Sequence, residues 1–294
     1  MLEGHDQAPV LVTGATSQIG RRVLGRLSAA DVSVAALSKR FPAEAEDENA
    51  QLIVGDLTQP ALDIGQEFPS LVHIAGIWLL PPHISNLHRN GLRRLVCFSS
   101  TAIYNKLDSI NASERDVARR MIAAEKSIAE QCDSMGIQWT ILRPTLIYGL
   151  GLDRNVSRAA HFIRKMRVYP LATGATGLRQ PVHADDLAAA AIAALQSDRA
   201  AGRSYDVGGR ERLAYREMIG RIFDTLNLPR RFVPVPGLEF AVAAAGFCLR
   251  KPEVTGDVVR RMRLDLICDN DAAEADLDFR PRAFLSGGLD DLPR

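Results

Sequence analysis

The eight residues "TGATSQIG", Thr13 to Gly20, constrain this chain more than any other stretch. They follow "VLVT", a short β-branched run of the kind that forms a buried strand. They lead into "QIGRRVLGRLSAA", where Ile19, Val23, Leu24 and Leu27 recur at helical spacing. "VSVAAL", Val32 to Leu37, is a second strand-like run. The order is strand, glycine-bearing turn, helix, strand. Such a turn lets backbone approach a pyrophosphate seated on the N-terminus of the helix. Gly14 supplies the tight turn, and Gly20 lets the helix pack close to the strand. Ser17 stands where the usual pattern has its middle glycine, so a Cβ occupies the point of closest approach while a hydroxyl becomes available to phosphate oxygen. Thr16, Ser17, Gln18 and Ile19 complete the expected cradle for a dinucleotide.

The end of the second strand decides which dinucleotide. An NAD site normally places Asp or Glu there for the ribose hydroxyls. This chain has Ser38, Lys39 and Arg40, which suit a 2′-phosphate, so NADP is expected first and NAD second. A solvated basic loop is the plainer account of the same residues. Farther on, "QLIVGDL" ends in Asp56 and Leu57, suited to gripping the adenine ring. "LVHIAG" ends in Ala75 and Gly76, small enough for the cofactor to pass, and its His73 reads as a packed core residue.

With "GDL", "VHIAG", "VCFSSTAIY", "WTILRPTLIYG", "RQPVHADDLAAA" and "YDVGG" following the glycine turn in order over residues 9 to 225, the chain resembles the extended and atypical short-chain dehydrogenase/reductase superfamily, in its NAD-dependent epimerase/dehydratase branch. "DNDAAEADLDFRPRAF" is similar to that family's closing segment. The resemblance implies an α/β fold, a Rossmann-type doubly wound parallel sheet of about seven strands with a small C-terminal substrate lobe. The expected division is a flexible stretch 1–8, a dinucleotide-binding domain over 9–150 and 180–210, and a substrate lobe over 151–179 and 211–294. It further implies hydride chemistry on a substrate that is often a nucleotide sugar. Ser99, Pro144 and Thr145 are then cofactor neighbours, the last two beside the nicotinamide carboxamide.

The catalytic set departs from that family. Its strand-end hydroxyl falls on Ser100, with Thr101 beside it, where it would hydrogen-bond the reacting oxygen; capping the next turn is the structural alternative. Members then use a tyrosine as acid/base and a lysine four residues on, neighbours on one helix face. The candidate helix is "SERDVARRMIAAEKSIAEQCDSMG", opened by Ser113 with Asp116 at capping-box spacing and buried through Val117, Met121, Ala124, Ile128, Cys132 and Met135. One register puts Val117 and Met121 in the tyrosine and lysine slots, and the other puts Ile122 and Lys126 there. Neither contains a tyrosine. Tyr104, two residues before Lys106, is expected to be packed. A positioned acid/base contributes about 10²–10⁴-fold, so another group must substitute or the protein only binds. Lys106 is the first candidate, with Lys126, Glu114 and a relayed water behind it; an exposed loop lysine is the plain alternative. The stretch "LLPPHISNLHRN" replaces a full family helix.

On the substrate side, Leu146 stands where relatives that bind UDP-sugars often carry Asn. Arg179 matches the arginine that clamps substrate pyrophosphate, a task suited to a guanidinium fork, and Arg154 and Asn155 are further pocket groups. His183 and Asp186 read as holding a loop-to-helix junction. No metal site is expected. A formal charge of +1, from 36 basic and 35 acidic residues, argues against nucleic acid or an anionic membrane as partner. The four dispersed cysteines fit reduced thiols in the cytoplasm. The apolar run Leu238 to Leu249 is too short to span a bilayer and reads as a core or interface helix. Two functions remain: an NAD(P)-dependent oxidoreductase, with reduction of a keto group of a nucleotide- or lipid-linked sugar as the expected reaction, or a non-catalytic NADP(H)-binding sensor or assembly subunit, for which the complex I accessory subunit of this fold is the analogy. A homodimer is an open alternative in either case.

Overall fold

The computed structural model describes residues 9–40, 50–59, 64–153, 155–235 and 261–293. The expectations for residues 1–8, Arg154 and the Leu238–Leu249 run lie outside the described residues.

Seven strands form one wholly parallel sheet: β1 (Val10–Thr13), β2 (Val34–Ser38), β3 (Ala50–Val54), β4 (Ser70–His73), β5 (Arg94–Phe98), β6 (Gln138–Pro144) and, late in the chain, a strand over Arg203–Val207. Their order runs from the Arg203–Val207 strand through β6, β5, β4, β1 and β2 to β3. A parallel sheet is covered on both faces, so its strands are apolar throughout; β1 and β5 are buried at every residue. Edge strand β3 departs from this, with Leu52 and Val54 exposed. The chain crosses sides between β3 and β4, which opens a crevice at the carboxyl ends of β1 and β4, the usual dinucleotide site.

Helix α1 (Gln18–Ala29) lies on one face. It packs Ile19, Val23 and Leu27 with Val12 and with Leu187 and Ala191 of the alanine-rich helix over Ala184–Gln196. The other face carries α2 (Ile84–Arg89), a short turn α3 (Ala102–Asn105) and the long α4 (Ala112–Met135), whose Met121, Ala124 and Ile128 meet Leu71, Leu95 and Ile141. Asn111, not Ser113, caps α4: its side chain accepts from the Ser113 N–H. Between β4 and α2 the chain makes 3-10 turns over Ile77–Leu79 and Pro81–His83, since two adjacent prolines withhold the donors a longer helix needs.

The smaller lobe contains β7 (Ile147–Tyr148), α5 (Val156–Met166), β8 (Tyr169–Ala172), β9 (Leu178–Arg179) and β10 (Val182–His183). After α6 (Ala184–Gln196) and β11 (Arg203–Val207) come β12 (Leu213–Ala214), α7 (Tyr215–Thr225) and β13 (Phe232–Val235). Tyr148, Ile163, Met218, Phe223 and Phe284 form the core of this lobe. The closing helix α8 (Asp271–Leu277) does not stay with it. Ala273, Leu277 and Phe279 pack into the sheet core beside α6 and β11, so residues 271–279 return to the dinucleotide-binding half.

Candidate functional site

The β1–α1 turn, the expected cofactor cradle, is built by backbone. Gly14 has φ +69°, a left-handed conformation, and a Cβ there would come within 2.7 Å of the Ala75 nitrogen. A Cβ on Gly20 would come within 2.4 Å of the Gly14 carbonyl oxygen. Both contacts keep β1, α1 and the end of β4 closer than side chains permit. The Ser17 hydroxyl caps α1 by accepting the Gly20 N–H at 3.0 Å, which leaves its own proton to donate outward. Thr16 and Ile19 flank it, Ile19 in the core. Buried acceptor Gln18 Oε1 and the buried Ser99 hydroxyl have no hydrogen-bond partner among the described residues. A helix N-terminus, a glycine cradle and unpartnered buried polar atoms together fit a dinucleotide.

At the end of β2, where the ribose is expected, Ser38 donates to the Arg40 carbonyl at 2.8 Å, and Arg40 is exposed. Lys39 Nζ pairs with Asp56 at 2.9 Å. Hydrogen bonds from the Thr58 hydroxyl and N–H, then Lys39, hold the Asp56 carboxyl down at about 2. Buried His83 bonds the Leu57 carbonyl at 2.9 Å through Nε2 and so fixes the loop that carries Asp56. No sequence motif pointed to His83. His73 is fully buried, with Nδ1 2.8 Å from the Thr13 hydroxyl and Nε2 3.3 Å from the Gly76 carbonyl oxygen. Burial lowers it to about 4, so it is neutral near pH 7. With Nε2–H donating to Gly76, Nδ1 accepts from Thr13, and every polar atom of the ring is satisfied.

Beyond β5 a cavity of about 600 Å³ separates the sheet domain from the smaller lobe. Ser100, Thr101, Lys106, Thr145, Asn155 and Arg179 line it, which brings most of the expected reaction and substrate residues together. Ser100 Oγ accepts the Ala102 N–H at 3.2 Å, which fixes the turn into α3 and leaves its own proton to donate into the cavity. Thr101 instead donates to the Pro144 carbonyl at 3.2 Å, and the Thr145 hydroxyl donates to the Gln180 carbonyl. Lys106 Nζ lies 3.7 Å from Glu114. Glu114 Oε2 also accepts from the Ser109 hydroxyl at 2.8 Å and from Arg261 at 2.6 Å. Burial pushes the Glu114 carboxyl up, but Ser109, Arg261 and Lys106 outweigh it and bring it below the usual carboxylate range. It is therefore ionised at neutral pH and has no proton to give.

Several expectations change here. Tyr104 is 57% exposed rather than packed; its hydroxyl donates to Asp206 and accepts from Arg143, each at 3.0 Å, in a network completed by Glu125. Lys126 points outward and pairs with Glu130. Met121 is buried and Val117 half-buried against the sheet under α4, neither lines the cavity, and the titratable side chain that α4 brings to it is Glu114. Arg179 is 4% exposed, and its guanidinium donates to the carbonyls of Leu178, Arg261 and Leu264 while it lies over the Tyr215 ring. Burial lowers it to about 10. Tyr215 shares a hydroxyl hydrogen bond of 2.9 Å with Tyr169, and the sequence reading overlooked both. His183 caps α6 by accepting the Asp185 N–H, and Asp186 binds the Arg282 backbone and side chain, as a helix junction requires.

The family model described as "NAD dependent epimerase/dehydratase family" matches residues 10–77 and 84–208, and the gap falls on the proline-bearing turn. Over 174 residues the chain is 29% identical to NADH dehydrogenase (ubiquinone) 1 alpha subcomplex subunit 9, mitochondrial, of Arabidopsis thaliana, covering 55% of this chain and 43% of that protein. Over 238 residues it is 29% identical to the (4-alkanoyl-5-oxo-2,5-dihydrofuran-3-yl)methyl phosphate reductase of Streptomyces griseus subsp. griseus, covering 76% of each. The chain thus spans less than half the length of the Arabidopsis relative and about three quarters of the Streptomyces one. Among solved structures, MoeE5 in complex with UDP-glucuronic acid and NAD superposes with a TM-score of 0.73 at 19% identity over 97% of each chain, a likeness of fold.

Proposed function

Because the chain belongs to the NAD dependent epimerase/dehydratase family, we propose that it is an NAD(P)-dependent reductase of a phosphate-bearing carbonyl compound, a keto sugar linked to a nucleotide or lipid. The observation that carries this reading is the cavity in which Ser100 and Lys106 stand with three arginines, Arg158, Arg179 and Arg261. When bound, the reduced nicotinamide supplies the hydride. Ser100 donates a hydrogen bond to the carbonyl oxygen, where negative charge grows as the carbon is reduced; one such donor is worth about 10²–10³ in turnover. Lys106 gives the proton that converts the oxygen to a hydroxyl, and its 31% exposed side chain recovers that proton from solvent. One hydride and one proton enter, and the carbonyl leaves as an alcohol.

Our preference for NADPH rests on Lys39 and exposed Arg40. Lys39 would exchange Asp56 for a 2′-phosphate, which offers more charge. Arg179 would meet the substrate diphosphate with what remains of its donors. The buried thiols of Cys97 and Cys132 suit the reducing cytoplasm. No helix among the described residues is long and apolar enough to cross a membrane.

A second reading, a dinucleotide-binding subunit without turnover, is favoured by the apolar pair Val117 and Met121 and by the likeness to the Arabidopsis protein. Incubation with NADPH and a 4-keto sugar nucleotide separates the two. The reductase reading expects equimolar NADPH loss and alcohol formation; tight NADPH binding with no product from any keto sugar nucleotide supports the subunit.

A further inference from the structure

Among the described residues that line the cavity, Glu114 is the single carboxylate, and it faces four cationic side chains, Lys106, Arg158, Arg179 and Arg261. It sits in the first turn of α4, on the sheet domain, where a helix N-terminus favours a negative charge. Arg261 belongs to the other wall of the cavity, and its backbone carbonyl is held by buried Arg179 at 2.5 Å. The 2.6 Å contact between Arg261 and Glu114 therefore bridges the cavity. One carboxylate thus neutralises Arg261 from one oxygen and Lys106 from the other. Arg158, exposed on α5, has no ion-pair partner among the described residues.

We propose that Glu114 is a specificity-determining residue, an internal counter-anion that the phosphate of the substrate must displace from Arg261. This rests on the reading that the cavity takes a phosphate-bearing substrate. A ligand with one negative charge exchanges one carboxylate for another and gains little. The diphosphate of a nucleotide-linked sugar carries about two negative charges, one on each phosphorus, and strong non-bridging acceptor oxygens on both. It replaces the carboxylate at Arg261 and reaches Arg158 as well, so it wins the exchange. Glu114 released from Arg261 keeps its ion pair with Lys106.

The test is calorimetric titration of UDP and of acetate into wild type, Glu114→Gln, Arg261→Gln and the double variant, with NADPH binding measured in each. Glutamine keeps the size and the acceptor oxygen, so the bonds from Arg261 and Ser109 persist without the charge. Glu114→Gln is expected to bind UDP about tenfold tighter, the worth of about 1.4 kcal/mol, and to bind acetate that wild type ignores. Arg261→Gln is expected to weaken UDP, and adding Glu114→Gln to it should restore nothing. Equal or weaker UDP affinity in Glu114→Gln overturns the proposal while leaving the substrate reading intact. A gain that persists in the double variant also overturns it. UDP binding to none of the four proteins, with NADPH bound by all, fails the substrate reading and this inference with it.

Discussion

At the β1–α1 turn the molecule makes its demands through the backbone, whereas at the cavity it makes them through side-chain charge. Gly14 holds φ +69° and Gly20 abuts the Gly14 carbonyl, so residues there are constrained by space alone. In the cavity, Ser100 accepts the Ala102 N–H, Lys106 pairs with Glu114, and Glu114 also holds Arg261 from a segment 147 residues away. The apolar side chains of half-buried Val117 and buried Met121 pack against the sheet under α4 and ask nothing of the charged groups in the cavity. Under the proposed function, dinucleotide binding and proton chemistry are carried by different regions, and single substitutions should pull them apart.

The largest effect is expected at the charge-built end. Lys106→Met should lower turnover of a keto substrate by about 10²–10⁴ while the NADPH dissociation constant stays put. Steady-state kinetics beside a binding titration measure both, and a loss of less than tenfold would remove Lys106 as the proton donor.

Next in size is a pH effect beneath the cradle. His73 sits at about 4 in the folded chain because burial outweighs its bond to Gly76, whereas the unfolded side chain titrates near 6.5. Between those values the unfolded chain takes a proton that the folded chain refuses. Stability is therefore full above pH 6.5 and falls toward pH 4, by up to about 3 kcal/mol from this residue. Urea unfolding at stepped pH should show that slope in wild type and a shallower one in His73→Gln; parallel slopes would contradict it.

Gly14→Ala tests the backbone end itself. The left-handed conformation costs about 1–2 kcal/mol for alanine, and the added Cβ meets Ala75 backbone. Lower thermal stability and weaker cofactor binding are expected together, and an unchanged cofactor affinity would show that the cradle has slack. Smallest is cofactor choice: Lys39→Ala with Arg40→Ala should reduce the preference for NADPH over NADH by about tenfold, roughly 1.4 kcal/mol. Competition titrations giving the same ratio in both proteins would assign the 2′-phosphate no role there.

The contrast also explains what could be read from the residues alone. A parallel sheet writes itself as short apolar runs, and a glycine that must adopt positive φ has few substitutes, so β1, α1, β2 and the cradle were legible. The absence of tyrosine on α4 was equally visible. The partnership of Glu114 with Arg261 joins residues 147 apart and leaves no periodic trace. His83 acts through one nitrogen on the Leu57 carbonyl, and a buried histidine after two prolines carries no signature of that task. Tyr104 is expected to be packed because the family resemblance implies it, yet Arg143 and Asp206 draw its hydroxyl to the surface. The closing helix was assigned by position in the chain to the small lobe, while its apolar face belongs to α6.

The central claim, that Ser100 orients a reacting carbonyl although the tyrosine is gone, is tested most directly by turnover of a 4-keto sugar nucleotide with NADPH. Wild type, Ser100→Ala, Ser100→Thr and Val117→Tyr should all bind NADPH alike. Ser100→Ala is expected to lose about 10²–10³ in turnover, Ser100→Thr to retain most of it, and the new tyrosine in Ser100→Ala/Val117→Tyr to restore none, since Met121 offers no cation to lower its pKa. Turnover indifferent to Ser100→Ala, or no turnover by wild type on any keto sugar nucleotide, would contradict the account.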